Sequence, residues 1–269
     1  MLAAQQNAQI INANLPKVTT TARQARILAN AAPTLWLKPD SAYFALDANG
    51  NCAAWYDAAN PRSFVPVGNS PPSVTALVNS ANSFLTFAGA GSPLFDATLA
   101  NIFPANGTPG TVAALVYNTT GASTFGGGVI GSPLSSNQFS LYINTSTGSY
   151  NLQGEIGVSG NIVSGTSTIN NGAWTTILGS YTGSGSGAIA QKNGTTETTS
   201  ANTLAVSTAS TALQAIIGGY GPSGATNPAK MRIAALMVAS VDLTLAANAS
   251  ILADINAEFA AYQTLLVAG

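Results

Sequence analysis

The sequence contains no histidine and only one cysteine, Cys52. Without histidine the chain lacks the commonest general base and the commonest metal ligand, and it can form neither a Ser-His nor a Cys-His nucleophile pair. A single cysteine allows no disulfide within the chain and no zinc site made of cysteines. These absences exclude several large classes of enzyme and metal centre.

Charge is equally scarce. Charged residues make up 6% of the chain, against about 25% in an ordinary soluble domain, and the formal net charge is −1. The chain therefore has no basic footprint for nucleic acid and no Lys/Arg cluster for an anionic membrane. No run approaches the ~18 consecutive apolar residues of a membrane-spanning helix, so we expect neither a nucleic-acid partner nor membrane insertion.

The first residues lack the cationic start and the continuous apolar core of a secretion signal. The polar surface must be made of Ser, Thr, Asn, Gln and Gly, a composition common in extracellular β-proteins and in virus particles. A bacteriophage structural protein, assembled in the host cytoplasm and exposed outside after lysis, fits both observations. A secreted protein whose signal has been removed fits them equally well.

Alternation of apolar and polar residues at period two predicts β-strands from Thr34 onward. In the clearest case, residues 151–158, one face is apolar and the other polar, as in a sandwich strand with one buried side. The segment 231–241 is apolar on both faces, which predicts a central or helix-covered strand. Asn193-Gly194 predicts a two-residue type I′ hairpin, because both positions need a positive φ.

Several short motifs follow one another in a fixed order along the chain. They are Leu35-Trp36-Leu37, Ala54-Trp55-Tyr56-Asp57, Leu85-Thr86-Phe87-Ala88-Gly89, Gly172-Ala173-Trp174, and Ile216-Ile217-Gly218-Gly219. This order resembles the laminin-G-like branch of the concanavalin A-like jelly-roll superfamily, over about residues 34 to 265. The resemblance implies an all-β, two-sheet antiparallel jelly-roll β-sandwich, a fold that usually presents a ligand-binding surface or fills a structural role. We expect Trp36 and Trp55 to be buried in its core.

The two ends of the chain differ from this middle part. Residues 1–33 are predicted to be an N-terminal arm, with a short helix after Thr21 that carries Arg23 and Arg26. The arm either docks on a neighbouring subunit through these arginines or packs on its own sandwich, which is predicted to span 34–269. At the C-terminus, an amphipathic helix is expected to place one apolar face on the sandwich. That face comprises Ile251, Ile255, Phe259, Tyr262 and Leu266.

Nothing in the sequence favours an enzyme. Glycoside hydrolysis needs two carboxyl groups held about 5 to 10 Å apart, and Glu155 has no acidic neighbour at the spacing that related hydrolases use. A hydrolase would require activity that disappears when Glu155 or Glu197 becomes glutamine. Sialidase-like chemistry would need an arginine cluster, and only Arg62 and Arg232 lie outside the arm. We predict no catalytic residues and no cofactor.

Calcium is the one metal that the resemblance makes relevant, because laminin-G-like domains often bind it through Asp side chains in rim loops. Asp40, Asp47, Asp57 and Asp96 lie in or near predicted loops, but they do not show the spacing of a calcium loop. The segment 47–51 is better interpreted as an Asx-type turn. A bound Ca²⁺ is an open alternative to a domain without a metal.

Carbohydrate binding requires neither histidine nor high charge. The loop after the Ile-Gly-Gly motif contains Tyr220, which could stack on a sugar ring, and Asn227, which could bind its hydroxyl groups. An exposed Tyr in a Gly-rich turn is also an ordinary surface feature.

The favoured interpretation is a non-enzymatic structural protein of a tailed-phage virion, a capsid decoration or a tail or fibre appendage that presents a lectin-like sandwich. Its partners would be other virion proteins or copies of itself in a homo-oligomer. The alternative is a carbohydrate-binding adhesin or lectin that recognises bacterial surface polysaccharide. In the first case the arm should control assembly; in the second a monomer should bind glycan and the arm should be dispensable.

Overall fold

A computed structural model of the chain describes fourteen stretches of residues. They are 20–67, 71–76, 81–89, 93–96, 102–103, 108–117, 127–131, 140–144, 149–153, 162–169, 172–182, 188–200, 215–219 and 228–267.

These residues contain two α-helices and two single turns of 3₁₀-helix, with strands between them. The helices are α1 (Ala22–Ala31) and α2 (Ala249–Val267), and the 3₁₀ turns cover Ser41–Tyr43 and Ala246–Asn248. In chain order the strands are β1 (Pro33–Leu37), β2 (Phe44–Leu46), β3 (Cys52–Tyr56), β4 (Ser63–Pro66), β5 (Ser73–Ala76), β6 (Ser83–Ala88), β7 (Leu94–Asp96), β8 (Gly110–Tyr117), β9 (Gly127–Gly131), β10 (Ser140–Ile143), β11 (Ser149–Gln153), β12 (Ile162–Thr168), β13 (Trp174–Tyr181), β14 (Ala188–Lys192), β15 (Thr195–Ser200), β16 (Ile216–Ile217) and β17 (Lys230–Ala239).

The strands form two antiparallel sheets. The first sheet has the order β15-β14-β13-β8-β17-β6-β5, and β1 pairs with the end of β17 that β6 leaves free. The second sheet has the order β12-β11-β10-β9-β16-β7-β4-β3-β2. The predicted all-β sandwich with two antiparallel sheets, an N-terminal helix and a C-terminal helix is therefore confirmed.

The sheets enclose one apolar core, and the helices create a second one on the outer face of the first sheet. The inner core contains Trp55 and Phe64 from the second sheet, and Phe87 from the first. The outer core places Ile27 of α1 and Phe259 of α2 against the first sheet. Both faces of the first sheet are therefore buried where the helices cover it.

The position of the central strand β17 explains why its sequence is apolar on both faces. Met231 and Ile233 face the inner core, whereas the next two residues, Ala234 and Ala235, both belong to the outer core. The register with β8 shifts between Ile233 and Ala235, as at a β-bulge, which re-aims the side chains that follow. The prediction of a strand covered on both sides is confirmed.

Two further local predictions are confirmed. Asn193 and Gly194 have φ values of 48° and 76°, as a type I′ turn requires, and they connect β14 to β15. Trp36 and Trp55 are completely buried.

The helix α1 begins at a capping box. The Thr21 hydroxyl accepts a hydrogen bond from the Gln24 backbone N–H at 3.2 Å, and the Thr21 N–H donates to the Gln24 side chain at 3.3 Å. Such a cap stabilises a helix by about 1 kcal/mol. The helix then packs on α2 and on the first sheet. Among the described residues, neither helix has the length and apolar character needed to cross a membrane.

Candidate functional site

The helix α2 borders two surface clefts on the outer side of the first sheet. We call the first the amide cleft; it measures about 280 Å³ and lies between α2 and the β14–β15 turn. Its walls are Thr176, Asn193, Gly194, Asn256, Ala257, Ala260 and Gln263. We call the second the helix groove; it measures about 480 Å³ and lies between α1 and α2.

The floor of the amide cleft is fixed by Asn193. Its backbone N–H donates to the Thr176 carbonyl at 2.9 Å, and its side-chain Oδ1 accepts from the Thr176 N–H at 2.9 Å. The turn residue is thereby attached to β13 through both its backbone and its side chain. Such a turn is pre-organised, because the left-handed conformation and both hydrogen bonds are present together.

Two amides of α2 form the opposite wall. Asn256 Nδ2 donates to Gln191 Oε1 at 3.0 Å, and Gln191 Nε2 donates onward to Thr196 Oγ1 at 2.9 Å. Gln263 Nε2 donates to the Trp174 carbonyl at 2.6 Å. The amide nitrogens therefore hold α2 on the sheet.

Two buried oxygens of the residues that line the amide cleft have no hydrogen-bond partner among the described residues. They are Thr176 Oγ1, on a side chain that is 4% exposed, and Asn256 Oδ1. A buried polar atom left unpaired costs about 1–3 kcal/mol. The lining residues that the structure describes are amides, one hydroxyl and small residues, without a charged side chain among them.

The helix groove has the opposite chemistry, because ion pairs cross it. Arg23 Nη1 donates to the Ala257 carbonyl at 2.8 Å and lies 3.4 Å from Glu258 Oε2. Arg26 makes a two-pronged contact with Asp254, with Nε to Oδ2 at 2.8 Å and Nη2 to Oδ1 at 2.6 Å. The cationic side chains of α1 are thus neutralised by carboxylates of α2.

A buried polar chain lies beneath this groove. Gln24 Nε2 donates to Glu258 Oε1 at 2.6 Å, and Lys38 Nζ donates to Gln24 Oε1 at 3.2 Å. The Lys38 ammonium also lies 4.7 Å from the centre of the Trp36 ring, a cation–π distance. Burial lowers the pKa of Lys38, while the charges of Glu258 and Asp40 act in the opposite direction. These contacts lock α1 to the sandwich.

The four aspartates considered for calcium have other partners or positions. Asp40 accepts from the Ala42 N–H at 2.9 Å, and Asp47 Oδ1 accepts from the N–H groups of Asn49 and Asn51 at 2.8 Å, which confirms the Asx-type turn. Asp57 is hydrogen-bonded in the interior, and Asp96 is buried in β7. Within the described residues no three His, Cys, Asp or Glu side chains group together to hold a metal ion. A bound Ca²⁺ stays an open alternative to the predicted absence of a cofactor.

The sequence-predicted site residues fall into two groups. Tyr220 and Asn227 lie outside the described residues, as does Glu155. Arg23 and Arg26 are described, and both contact α2 of the same chain; their role in assembly stays a prediction. The amide cleft was not predicted. Its one visible signal was the Asn193-Gly194 turn, which was interpreted only as a hairpin.

No protein-family model and no curated protein sequence matches this chain. Solved structures with a similar fold do exist. A structure of botulinum neurotoxin type C is similar with a TM-score of 0.55 at 12% identity, covering 88% of this chain and 53% of that one. Our chain thus spans about half the length of that toxin chain.

Two further structures extend this comparison. Domain 4 of AbnA, an extracellular arabinanase from Geobacillus stearothermophilus in complex with arabinotriose, has a TM-score of 0.55 at 15% identity, covering 82% of this chain and 97% of that one. A Trypanosoma rangeli sialidase has a TM-score of 0.50 at 14% identity, covering 82% of this chain and 32% of that one. At these identities the likeness is one of fold, and the chain is a β-sandwich.

Proposed function

We propose that this chain is a non-catalytic recognition module that binds a neutral glycan of a cell surface. The observation that carries the proposal is the amide cleft, whose described lining includes two amide side chains of α2 and a hydroxyl side chain, with no charged group among the described residues. The exposed Asn193 and the half-buried Asn256 supply amide groups at its surface. Sugar hydroxyl groups both donate and accept hydrogen bonds, so a neutral saccharide matches this chemistry.

The fold supports the same class of function. Botulinum neurotoxin type C depends for cell entry on interaction with two ganglioside molecules, and the similar arabinanase domain was solved with arabinotriose. These properties belong to those proteins, and fold alone does not transfer them. They make glycan binding the first function to test on this sandwich.

The test is direct binding of the purified full-length protein to bacterial surface polysaccharides and intact cells, with calcium and with a chelator. We expect saturable, strain-selective binding that the chelator leaves unchanged. Binding lost in the chelator would instead restore the calcium interpretation. The same polysaccharides, incubated for long periods, should show no new reducing ends; cleavage that is lost on Glu197→Gln would contradict a non-catalytic role. Binding to no polysaccharide and no cell would overturn the proposal.

We propose, as a second candidate, that the module belongs to a tailed-phage virion and is attached through residues 1–33. The composition supports it, since 17 charged residues (8 Lys and Arg plus 9 Asp and Glu) among 269 give a neutral surface. The position of α1 also supports it, because Thr21, close to the start of the described residues, lines the helix groove. Such a protein would be assembled in the host cytoplasm as a homo-oligomer or on other virion proteins.

Deletion of residues 1–19 tests this candidate without disturbing α1. If the arm controls assembly, the full-length chain should form oligomers by light scattering, and the truncated chain should be a folded monomer. An unchanged mass for the two proteins would contradict self-assembly through the arm. A truncated monomer that still binds polysaccharide would separate recognition from attachment.

A further inference from the structure

We infer that Arg232 and Lys230 form a second binding site, on the outer face of the first sheet, for the carboxylate group of an acidic sugar. This site goes beyond the proposed function, which concerns a neutral ligand at the amide cleft. Three observations support it: the environment of the Arg232 guanidinium, the position of Lys230, and the row of side chains that crosses the sheet at Arg232.

Arg232 lies in the centre of a row of side chains that crosses five neighbouring strands. The strand registers place Tyr117 of β8 and Thr86 of β6 directly opposite it. The row continues to Trp174 of β13 on one side and to Ser73 of β5 on the other. Residues that oppose each other in antiparallel strands share one face of a sheet. Trp174 belongs to the outer core, so the whole row lies on the outer face.

Two aromatic rings hold the Arg232 guanidinium. Its carbon Cζ lies 5.1 Å from the centre of the Phe84 ring and 4.9 Å from the centre of the Tyr117 ring, and both are cation–π distances. The Trp174 ring packs against both rings, with 5.2 and 5.3 Å between ring centres. The guanidinium is therefore fixed in position before a ligand arrives, which lowers the entropy that binding would cost.

The guanidinium presents its terminal edge to solvent. Arg232 Nε is buried and has no hydrogen-bond partner, whereas the residue as a whole is half-buried. Neither Nη1 nor Nη2 is buried in this way, and no described residue forms an ion pair with them. A planar carboxylate binds two such nitrogens at once through parallel hydrogen bonds. The accessible edge of Arg232 therefore suits a carboxylate.

The other three arginines of the chain show which partner this group takes. Arg23, Arg26 and Arg62 lie 3.4, 2.6 and 3.3 Å from a carboxylate oxygen. Arg232 has no such carboxylate among the described residues, although it has lost part of its water to the aromatic rings. A partly desolvated charge gains most from a counter-charge. We assign that counter-charge to a ligand.

Lys230 adds a second positive charge on the same face. It lies two residues before Arg232 on β17, about 7 Å away along the strand, and it is exposed. Its side chain extends over Gly89, since a Cβ atom added there would lie 3.1 Å from Lys230 Cε. The two cations therefore attract the same anionic group.

Hydroxyl groups favour a sugar as the carrier of the carboxylate. Beyond Arg232 the row continues with the half-buried Thr86 and the exposed Ser73, which lies two strands away, at about 10 Å. Their hydroxyl groups both donate and accept hydrogen bonds, as sugar hydroxyls do. A sugar whose carboxylate binds Arg232 can thus extend its ring along this row.

The first measurement is nuclear magnetic resonance of the full-length protein with methyl glucuronide, methyl glucoside, acetate, sulfate and a blocked glutamyl peptide. The reporter is the Nε–H signal of Arg232, because a buried N–H exchanges slowly with water. We expect the glucuronide to shift this signal and the glucoside to leave it unchanged. No shift with the glucuronide would overturn the site. Tighter binding of sulfate would overturn the carboxylate, and equally tight binding of acetate or the peptide would overturn the sugar.

Variants test the two cations separately. Arg232→Gln should weaken glucuronide binding about 10-fold or more, because a charge-assisted pair of hydrogen bonds is lost. Arg232→Lys keeps the charge without the two-nitrogen edge and should restore only part of the affinity. Lys230→Gln, at an exposed position, should weaken binding about 2- to 5-fold.

The matched control is Lys192→Gln, which removes one charge from β14, three strands away in the same sheet; it should bind as the wild type does. If Arg232→Gln fails to fold, Arg232→Lys and Lys230→Gln are measured in its place. Equal binding by the wild type and by every folded variant at positions 230 and 232 would overturn the site.

The outcome is distinguishable from that of the proposed function. Loss of the glucuronide in Arg232→Gln, with unchanged binding of a neutral polysaccharide, would support two separate sites. Loss of both ligands in the folded variant would overturn their separation. A neutral polysaccharide that binds the wild type, together with a glucuronide that does not, would overturn this site and leave the proposed function intact.

Discussion

The carboxylate of Asp57 accepts a hydrogen bond from the backbone N–H of Trp36 at 2.9 Å, in the interior of the protein. The Trp36 carbonyl in turn accepts from the Ala58 N–H at 2.8 Å, and the Asn60 side chain donates to the Thr34 carbonyl at 3.1 Å. Residues 57–60 therefore supply hydrogen-bond partners to the edge of β1 that does not face β17. Backbone groups on that edge would otherwise remain unpaired. Arg62 Nε, 3.3 Å from Asp57 Oδ2, supplies the counter-charge.

Replacing Asp57 by alanine should destabilise the fold strongly. The change leaves the Trp36 N–H without its acceptor and Arg62, whose side chain is 12% exposed, without its counter-charge. Breaking a buried pair in this way costs about 3–5 kcal/mol. Asp57→Asn keeps the shape and an acceptor oxygen, so it should cost less. Urea unfolding measures both, and equal stability of Asp57→Ala and the wild type would contradict the assignment.

Gly218→Ala should be more damaging than Gly172→Ala, although both glycines have a positive φ, of 82° and 74°. A Cβ atom at position 218 would overlap the Phe87 ring in the inner core, whereas one at position 172 would meet no atom within 4 Å. The left-handed conformation alone costs about 1–2 kcal/mol for a residue with a Cβ. Gly172→Ala should lose about that amount, and Gly218→Ala clearly more, in thermal unfolding. Equal losses would contradict the packing around Phe87.

Cys52 should react with thiol reagents only when the sandwich opens. Its side chain is buried in β3, and burial, assisted by the negative charge of Asp47, raises the pKa of the thiol to about 12. The thiolate is the reactive form, and at pH 8 it would be about 10⁻⁴ of the population. Labelling of the Cys52 thiol with a chromogenic disulfide reagent should therefore accelerate only in denaturant, in parallel with unfolding. Rapid labelling of the native protein would contradict the burial of Cys52.

The contact between Arg26 and Asp254 should hold α1 in place in a manner that depends on pH and salt. The hydrogen bond and charge of Arg26 lower the pKa of Asp254 below 3.8. Because the carboxyl pKa is lowered in the folded state, the stabilisation is present at pH values above 3.8. It is lost as the pH falls through the folded-state pKa. Both side chains lie near solvent, so added salt should weaken the contact as well.

Hydrogen exchange of the α1 backbone amides measures this effect. Asp254→Asn should accelerate exchange in α1 and leave the amides of β17 unchanged, and the charge-swapped pair Arg26→Asp with Asp254→Arg should restore part of the protection. If α1 exchanges at the same rate in the wild type and Asp254→Asn at low salt, the ion pair does not hold the helix.

Much of the fold was predictable because its signals are local. The period-two strands, the Asn193-Gly194 turn and the apolar face of α2 each arise from residues close together in the chain. The order of short motifs then indicated a sandwich. The β-bulge at Ala234-Ala235 was not predictable, because a strand that is apolar on both sides tolerates either register.

The site was not predictable for the opposite reason. Thr176, Asn193 and Asn256 come from a strand, a turn and a distant helix, and no spacing relates them. Glu258 illustrates the same limit: it lies in an otherwise apolar helix face and is 3% exposed. Its partners Arg23 and Gln24 are more than 230 residues away in the chain. Hydrophobic periodicity detects apolar faces and gives no sign of a buried carboxylate with remote partners.

The antiparallel course of α1 and α2 has a mechanical consequence. Thr21 and Leu265 line the same groove, and further from the chain ends Arg23 meets Glu258 and Arg26 meets Asp254. The next element, β1, pairs with β17 in the same sense, beginning with Pro33 opposite Ala239. A force that pulls the two ends of the chain apart would therefore break these contacts one after another, starting at the chain ends. Such a load would separate the helices before it sheared the sheets.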